Sequence, residues 1–317
     1  MSQPLIQTIG LKKYFKTSSG LLHAVDDVNL SIAEGETLGV VGESGCGKST
    51  LGRVILRLLD ATEGQVLYRG TDILTYNKRK FHELRREMQI IFQDPYSSLN
   101  PRMTVSEIIA EPMRVNKLYR NSQERSERIA KLMDIVGLAS RLENAYPHEL
   151  DGGRRQRIGI ARALSVEPRF IVCDEPVSAL DVSIQAQILN LLMDLQDEMG
   201  LTYLFITHDL SVVKHISDQI AVMYLGQCVE RAPSDQLFRN PMHPYTKALL
   251  SAIQSPDLKM RGKKSEVIRG EVTSPIDPKP GCRFADRCAY ATEECRSGTL
   301  PLVERESGHF VACRKAV

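Results

Sequence analysis

The sequence predicts an α/β protein built around a parallel sheet, and three observations lead to this prediction. Short apolar runs typical of buried strands alternate with segments whose apolar residues recur every three or four positions. A glycine-rich loop separates one such run from a helical segment. The chain has 317 residues with 42% hydrophobic content, which is enough for one sizeable core and a smaller appendage.

The first elements are strands that lead into the glycine-rich loop. Residues 5–9 and 25–32 have the composition of strands, and residues 37–41 form a short apolar run of the kind buried on both faces of a sheet. Residues 42–49 contain three glycines, and residues 49–59 then show helical spacing. The predicted order is strand, loop, helix.

The middle of the chain is predicted to be helical before the α/β alternation returns. Apolar residues between about 104 and 164 recur mostly every three or four positions, which predicts a helical subdomain. A strand at 170–173, a helix at 183–199 and a strand at 202–206 follow. This order predicts a parallel sheet with crossover helices.

The last part of the chain changes character at about residue 255. Residues 219–230 predict a hairpin that turns near Gly226, and residues 244–253 predict a short helix. Beyond them, prolines and cysteines replace the regular periodicity. We therefore predict one domain at 1–254 and a C-terminal extension at 255–317.

Composition limits the partners and the compartment. The 41 basic and 39 acidic residues nearly balance, and no run of like charge marks a nucleic-acid arm, so we expect no nucleic-acid partner. No apolar run approaches the roughly 20 residues of a membrane span. Without a recognisable signal peptide, the chain is expected in the cytoplasm, where an odd count of seven cysteines argues against a disulfide framework.

Residues 42–49 fit the phosphate-loop pattern G-x-x-x-x-G-K-[ST], and they have the strand before and the helix after that the pattern requires. Glycines let successive backbone N–H groups curl around an anion, and the helix N-terminus adds its positive dipole end. Lys48 is predicted to reach the β- and γ-phosphates, and Ser49 to bind Mg²⁺. The predicted ATP-binding residues of this loop are Gly42, Glu43, Ser44, Gly45, Cys46, Gly47, Lys48, Ser49 and Thr50.

Two carboxylates follow the apolar strand at 170–173. Asp174 and Glu175 are predicted at the carboxyl end of the parallel sheet, where Asp174 would hold Mg²⁺ and Glu175 would act as general base for the attacking water. His208 follows the strand at 202–206 and is predicted to hydrogen-bond the γ-phosphate or that water.

Further segments resemble the ATP-binding cassette of ABC transporters, and they follow one another along the chain in the order typical of that cassette. Gln93 lies in a segment similar to the Q-loop, and His208 in one similar to the H-loop. The segment similar to the signature L-S-G-G-Q is Leu150, Asp151, Gly152, Gly153 and Arg154. The segment similar to the D-loop is Ser178, Ala179, Leu180 and Asp181. The resemblance implies an ABC-type nucleotide-binding domain with a RecA-like parallel-sheet core, an antiparallel β subdomain and a helical subdomain.

Within that superfamily, residues 41–50, 94–102, 176–183 and 243–250 resemble the ATPase subunits of dipeptide and oligopeptide importers, the F-type partner especially. Nickel-importer subunits are similar too, so the substrate stays open. The resemblance implies ATP hydrolysis at the cytoplasmic face of the membrane in a heterodimer with a paralogous ATPase. Two transmembrane permease subunits and an extracytoplasmic substrate-binding protein would complete the system.

The same resemblance implies further nucleotide contacts. Gln93 would contact the Mg²⁺ site and couple it to the permease. An aromatic residue would stack on adenine, and we favour Tyr14 over Phe15 for this role. The signature would act in trans, on the nucleotide held by the opposite subunit.

The signature departs from the family pattern at Asp151 and Arg154. Asp151 stands where a serine would donate a hydrogen bond to the γ-phosphate, and at about 4 Å with an effective dielectric of about 20 each pair of like charges costs about 4 kcal/mol. Arg154 would offset part of this repulsion by pairing with Asp151 or with the nucleotide. We expect an asymmetric heterodimer in which the site that this signature completes is impaired.

Four cysteines in the extension suit a metal site: Cys282, Cys288, Cys295 and Cys313. Their spacing fits neither a zinc ribbon nor a ferredoxin, so Zn²⁺, an iron–sulfur cluster and free thiols all stay open on spacing alone. The resemblance favours a [4Fe–4S] cluster, because similar tails in peptide-importer ATPases bind one. Its role would be structural, with redox sensing as the alternative.

Two other classes of function compete with the transport ATPase. An ABC ATPase that acts on DNA or ribosomes would carry a long coiled-coil insertion or a second cassette, and the sequence has neither. A regulatory ATP-binding subunit with low turnover is less remote because of Asp151. Glu175 and His208 argue against that alternative.

Overall fold

The computed structural model describes residues 3–119, 121–252 and 274–316. The strands are β1 (Ile6–Thr17), β2 (Gly20–Ile32), β3 (Thr37–Val41), β4 (Glu63–Tyr68), β5 (Thr71–Asp72), β6 (Met88–Ile91), β7 (Phe170–Asp174), β8 (Thr202–Ile206), β9 (Gln219–Tyr224), β10 (Gln227–Pro233), β11 (Val303–Glu306) and β12 (His309–Val311). The α-helices are α1 (Lys48–Ile55), α2 (Lys78–Leu84), α3 (Val105–Val115), α4 (Ser122–Ile135), α5 (Gly152–Leu164), α6 (Val182–Met199), α7 (Leu210–Ile216), α8 (Ser234–Arg239) and α9 (Pro244–Ser251). In the described ranges, no helix has both the length and the apolar character needed to cross a bilayer.

The chain divides into two compact units. The first unit comprises Met1–Ala33, Thr37–Leu74 and Thr207–Val317, and the second comprises Glu34–Glu36 and Thr75–Ile206. The residues described for the C-terminal extension therefore belong to the first unit. The predicted domain boundary between residues 254 and 255 lies outside the described residues.

The first unit contains two sheets. Its antiparallel sheet has the order β2-β1-β4-β5, and its other strands follow the order β11-β12-β10-β9-β3. In the second of these, β3 pairs in parallel with β9, whereas β9, β10, β12 and β11 pair antiparallel. The pairing of Glu230 on β10 with Val311 on β12 joins the extension directly to the hairpin β9–β10.

The core of the first unit includes side chains from the extension. Tyr224 and Tyr245 pack with ring centroids 4.7 Å apart, and Phe284 of the extension lies 5.3 Å from each of them. All three rings are buried, and Cys282 and Cys288 pack against the same apolar cluster. Because it shares this core, the extension is held by apolar burial as well as by strand pairing.

The second unit combines a parallel sheet with helices. The strands β8, β7 and β6 pair in parallel, with Phe170 opposite both Thr202 and Met88. Helices α3, α4 and α5 lie within the predicted helical stretch, and α3 begins with a capping box between Thr104 and Glu107. Helix α6 ends at Met199 and is capped by Gly200, whose φ of +64° is the left-handed conformation common after a helix.

Several element bounds differ from the prediction. Strand β1 extends to Thr17, well beyond residue 9, because its polar second half pairs with β2 through register shifts that no periodicity reveals. Helix α1 ends at Ile55 and not at residue 59, because Arg57 takes a left-handed φ of +48°. Strands β4, β5, β6, β11 and β12 and helices α2, α7 and α8 were not predicted.

Candidate functional site

The phosphate loop joins β3 to α1 in the first unit, and its glycines are needed where they stand. At Gly47, φ is +102° and a Cβ atom would lie 1.9 Å from the carbonyl oxygen of Ala24. At Gly42, a Cβ atom would lie 2.1 Å from the carbonyl oxygen of Met223. Side chains are excluded at both positions, so the surrounding backbone fixes the path of the loop.

Lys48 is the first residue of α1, and its side chain returns into the loop. It is 4% exposed, and Nζ donates to the carbonyl oxygens of Gly42 at 2.8 Å and Glu43 at 3.0 Å. Ser49 follows on the helix. Cys46 is buried against Lys48, and burial raises the pKa of its thiol more than the nearby ammonium lowers it. Cys46 therefore packs as a neutral thiol.

Tyr14 belongs to a hydrogen-bonded network that reaches the phosphate loop. Its hydroxyl donates to the carboxylate of Asp26, and its ring stacks on His23 with centroids 3.9 Å apart. The Asp26 amide donates to the Gly226 carbonyl at 2.8 Å, and the Gly226 amide donates to the Cys46 carbonyl at 2.8 Å. Burial raises the pKa of Asp26, but the hydrogen bond from Tyr14 and the charge of Arg283 outweigh it and hold the pKa below its ordinary value.

His208 also lies in the first unit. It is exposed and follows Thr207, whose amide donates to the Val40 carbonyl at 3.1 Å. Asp209 caps α7 by accepting a hydrogen bond from the Ser211 amide at 2.8 Å. A backbone hydrogen bond to β3 on one side and a helix cap on the other fix the backbone of His208.

The second unit contains the acidic pair at the end of β7. Asp174 is 1% exposed, and Glu175 has a left-handed φ of +48°, a strained conformation for a residue with a side chain. The Glu175 amide donates to the Ile206 carbonyl at 3.0 Å, and Ser178 of the D-loop donates its amide and hydroxyl to the Glu175 carbonyl. Gln93 Nε2 donates to Glu175 Oε2 at 3.0 Å. The structure thus brings Gln93 to the carboxylate predicted to be the base.

The signature segment begins α5 in the second unit. Asp151 is the N-cap and accepts a hydrogen bond from the Arg154 amide at 2.8 Å. The Arg154 guanidinium lies 3.1 Å from Asp151 Oδ2, and about half of each side chain is exposed. Aspartate and serine are both strong N-caps, so the departure from the family serine preserves the helix start. A Cβ atom on Gly152 would lie 3.2 Å from Leu180 of the D-loop.

The four cysteines of the extension line one cavity, together with apolar neighbours such as Phe284. The Cys282 amide donates to the Cys295 carbonyl at 2.7 Å, and burial, together with the neighbouring thiols, raises the pKa of Cys282 to about 11. Over the ranges described, no three His, Cys, Asp or Glu side chains are placed to hold a metal ion. All seven cysteines, Cys288 and Cys313 among them, are free thiols in this structure.

His243 is buried and lines the same cavity. Its Nδ1 accepts the Tyr245 amide at 3.1 Å, so the ring carries its proton on Nε2. Burial lowers the pKa of His243 to about 4, which keeps the ring neutral. Within the part of the chain that the structure describes, Nε2 has no hydrogen-bond partner. A buried donor beside four thiols fits a site whose bound group supplies sulfur acceptors.

The sequence did not single out Asp26, Arg283 and Arg287. Arg287 contacts Glu43 of the phosphate loop, and Arg283 contacts Asp26. The only signal was that each arginine stands next to a cysteine of the extension. That signal does not show where the side chains point.

Two family models match the chain. The model described as ABC transporter matches residues 25–178. The model described as the C-terminal region of oligopeptide/dipeptide transporters matches residues 229–295. Together they span both the phosphate loop and part of the cysteine-bearing extension.

Similar proteins extend the match to nearly the whole chain. The putative oligopeptide transport ATP-binding protein YkfD of Bacillus subtilis (strain 168) is 54% identical over 312 residues, which cover 98% of this chain and 95% of the relative. The chain belongs to the family of ABC transporter ATP-binding proteins. The oligopeptide transport ATP-binding protein OppF of Salmonella typhimurium is 54% identical over 305 residues, which cover 96% of this chain and 91% of that protein.

Solved structures of ABC cassettes share the fold. A dimeric ATP-binding cassette in a post-hydrolysis state, bound to ADP and Pi, has a TM-score of 0.66 and 31% identity, with 72% of this chain and 98% of that chain covered. The cbiO1 protein of Clostridium perfringens, part of the ABC transporter complex cbiONQ, has a TM-score of 0.67 and 28% identity, with 75% of this chain and 92% of that chain covered. The expected ABC ATPase fold is confirmed.

Proposed function

We propose that the chain hydrolyses ATP as the energy-supplying subunit of an ABC importer of oligopeptides. The observation that carries this proposal is the 54% identity, over 98% of the chain, to a protein named for oligopeptide transport. The match of residues 229–295 to the C-terminal region of oligopeptide/dipeptide transporters supports the same substrate class. A fold alone does not identify a substrate, so the match of the extension is the more specific sign.

The chain works as one half of an ATPase pair at the cytoplasmic face of the membrane. A paralogous ATPase supplies the other half, two permease subunits form the path for the peptide, and an extracytoplasmic protein delivers it. A cassette with this fold is known as a dimer bound to ADP and Pi, which supports the paired arrangement. ATP binding closes the pair and hydrolysis reopens it, and the permease follows this motion.

In the first unit, the phosphate loop holds the triphosphate of ATP. Backbone amides at the start of α1 bind the phosphate oxygens, and Lys48 exchanges its bonds to the Gly42 and Glu43 carbonyls for the β- and γ-phosphates. Tyr14 stacks on adenine, and the hydrogen bond from its hydroxyl to Asp26, in the network that joins it to the loop, supports this role. His208 donates a hydrogen bond to the γ-phosphate.

In the second unit, Glu175 performs the proton chemistry. It accepts a hydrogen bond from water and takes the proton as the water oxygen bonds to the γ-phosphorus, while the bond to the bridging oxygen of ADP breaks. Gln93 already donates to this carboxylate, which supports its role in orienting the base. Ser49, Gln93 and Asp174 offer oxygen ligands suited to Mg²⁺, which neutralises phosphate charge when bound.

The two ATP sites of the pair are unequal. The chain's own Lys48, Glu175 and His208 complete a working site with the signature of the partner. Asp151 brings a carboxylate toward the nucleotide held by the partner, and Arg154 pairs with it and offsets part of the repulsion. The site completed by Asp151 is therefore the slower one.

The four cysteines of the extension would hold a [4Fe–4S] cluster, and zinc is the second candidate. The cavity that the four cysteines share and the buried Nε2 of His243 support a four-cysteine site, and the resemblance to peptide-importer ATPases favours the cluster over zinc. When bound, the group would cross-link the cysteine-bearing segment and so stabilise it.

Metal analysis tests the cysteine site. The full chain is purified without oxygen, and iron, sulfide and zinc are measured for wild type, Cys288→Ser and the control Cys228→Ser, which changes a buried cysteine on β10. We expect about four irons and four sulfides per chain, lost in the first variant and kept in the second. One zinc per chain without iron would show that the site holds zinc and not a cluster. The absence of both metals would refute a metal site.

Uptake tests the transport function. Cells that lack this chain are given wild type or Glu175→Gln, and uptake of a labelled tripeptide to pentapeptide, a dipeptide and Ni²⁺ is compared. We expect wild type to restore uptake of the longer peptides and Glu175→Gln to fail. Restored nickel uptake without peptide uptake would contradict the substrate class.

A further inference from the structure

Two arginines of the extension contact the phosphate loop and the network around Tyr14. Arg287 precedes Cys288, and its guanidinium donates two hydrogen bonds to the carboxylate of Glu43, at 2.8 and 3.1 Å. It also donates to the Tyr224 hydroxyl at 3.2 Å. The Arg287 side chain is 7% exposed and that of Glu43 is 24% exposed, so this is a half-buried bidentate pair within the first unit.

Glu43 is held at both its backbone and its side chain. Its amide donates to the Tyr245 hydroxyl at 2.9 Å, and its carbonyl accepts Lys48 Nζ at 3.0 Å. Its carboxylate is a negative charge in the loop that binds a triphosphate. Arg287 neutralises that charge and, through two parallel bonds, fixes where it lies.

Arg283, which follows Cys282, acts at the other end of the network. It donates to the carboxylate of Asp26 and to the carbonyl of Leu225, and its side chain is 5% exposed. Asp26 also accepts the hydroxyl of Tyr14. The turn that begins at Leu225 connects back to the phosphate loop through the Gly226 amide and the Cys46 carbonyl.

We propose that Arg283 and Arg287 form a clamp that positions ATP, with Arg287 fixing the phosphate loop and Arg283 fixing Tyr14. Both arginines are positioning residues, since they act through Glu43 and Asp26 and not on the nucleotide. This inference rests on the proposed ATPase function.

Steady-state ATP hydrolysis by the full chain in its assembled transporter tests the clamp. Arg287→Gln leaves the Glu43 carboxylate unneutralised, so we expect the KM for ATP to rise about tenfold with kcat within about twofold of wild type. Arg287→Lys keeps the positive charge but loses the two-pronged hydrogen bonding of the guanidinium, so its KM for ATP should lie between those of wild type and Arg287→Gln. The control is Arg296→Gln, which removes an exposed arginine paired with Asp286 in the same extension and should leave KM unchanged.

Inorganic tripolyphosphate separates the two arms of the clamp, because it competes for the phosphate loop but has no adenine. We expect Arg287→Gln to weaken inhibition by tripolyphosphate about tenfold, in step with its KM for ATP. Arg283→Gln should raise the KM for ATP by a similar factor and leave inhibition by tripolyphosphate unchanged. In the double variant Glu43→Gln with Arg287→Gln, KM should rise less than in Arg287→Gln alone.

The results distinguish failure of the clamp from failure of the proposed function. If wild type hydrolyses ATP and the arginine variants lower only the melting temperature, with KM unmoved, the arginines merely attach the extension and the clamp is refuted. A double variant whose KM rises as far as that of Arg287→Gln would refute the route through Glu43. If wild type itself does not hydrolyse ATP, the proposed function falls first.

Discussion

Replacing Glu230 with glutamine would remove the charge at the centre of a buried network in the first unit. Glu230 and His309 are both 0% exposed, and Glu230 Oε1 lies 2.7 Å from His309 Nε2. Glu230 also accepts the amides of Met242 at 2.7 Å and His243 at 3.0 Å. Because glutamine has only one acceptor oxygen, at least one of these donors would face an NH₂ group.

The cost follows from the number of bonds affected. One unsatisfied buried donor costs about 1–3 kcal/mol, and the two remaining hydrogen bonds each lose about 1 kcal/mol when their acceptor loses its charge. Glu230→Gln should therefore lower the free energy of unfolding by about 3–5 kcal/mol. This network helps to hold β12 of the extension on β10, so the extension should detach first.

The assay is urea unfolding of the full chain, followed by circular dichroism. The control is Glu304→Gln, which changes an exposed carboxylate on β11 that accepts a hydrogen bond from the Gly308 amide at 2.8 Å. We expect the control to change the free energy of unfolding by no more than about 0.5 kcal/mol. A loss below about 1 kcal/mol for Glu230→Gln would refute the reasoning.

Three further predictions follow from named contacts. The pKa of Glu230 is held below its ordinary 4.5 because hydrogen bonds from His309 and its other donors outweigh burial. The Glu230 carboxylate therefore contributes its full stabilisation above about pH 4.5 and loses it at lower pH. In acid unfolding, the difference in free energy of unfolding between wild type and Glu230→Gln should shrink as the pH falls from about 4.5. Gly47→Ala should abolish calorimetric binding of ATP, whereas Gly159→Ala, where an added Cβ has nothing within 4 Å, should bind normally. Asp151→Ser keeps a helix cap but removes the carboxylate from the slower site. Adding it to Glu175→Gln should therefore raise the residual ATP turnover of the transporter about tenfold. Unchanged turnover would mean that Asp151 does not impair that site.

Local motifs are the part of the site that the sequence predicts well. The phosphate loop needs a buried strand, glycines and a helix start within a few residues, and β3, Gly47 and α1 provide them in that order. The acidic pair at the end of β7 was predicted by the same kind of local order. Roles that depend on an opposite subunit, such as that of Asp151, stay predictions.

Long-range pairing is the part that the sequence does not predict. Strand β11 is exposed along its length and has no apolar alternation, so only its pairing with β12 makes it a strand. The second half of β1 is likewise polar and is fixed by β2. The contact of Arg287 with Glu43 joins residues 244 positions apart, and no periodicity or spacing rule connects them.

The measurement that tests the central claim most directly is ATP turnover by the assembled transporter, comparing wild type, Glu175→Gln and the matching change in the partner ATPase. We expect Glu175→Gln to remove most of the turnover and the partner's change to remove little, because the proposal assigns the faster site to this chain's own residues. Equal losses from the two changes would contradict the asymmetry. Unchanged turnover in Glu175→Gln would contradict the assignment of the base and the claim that this chain supplies the energy.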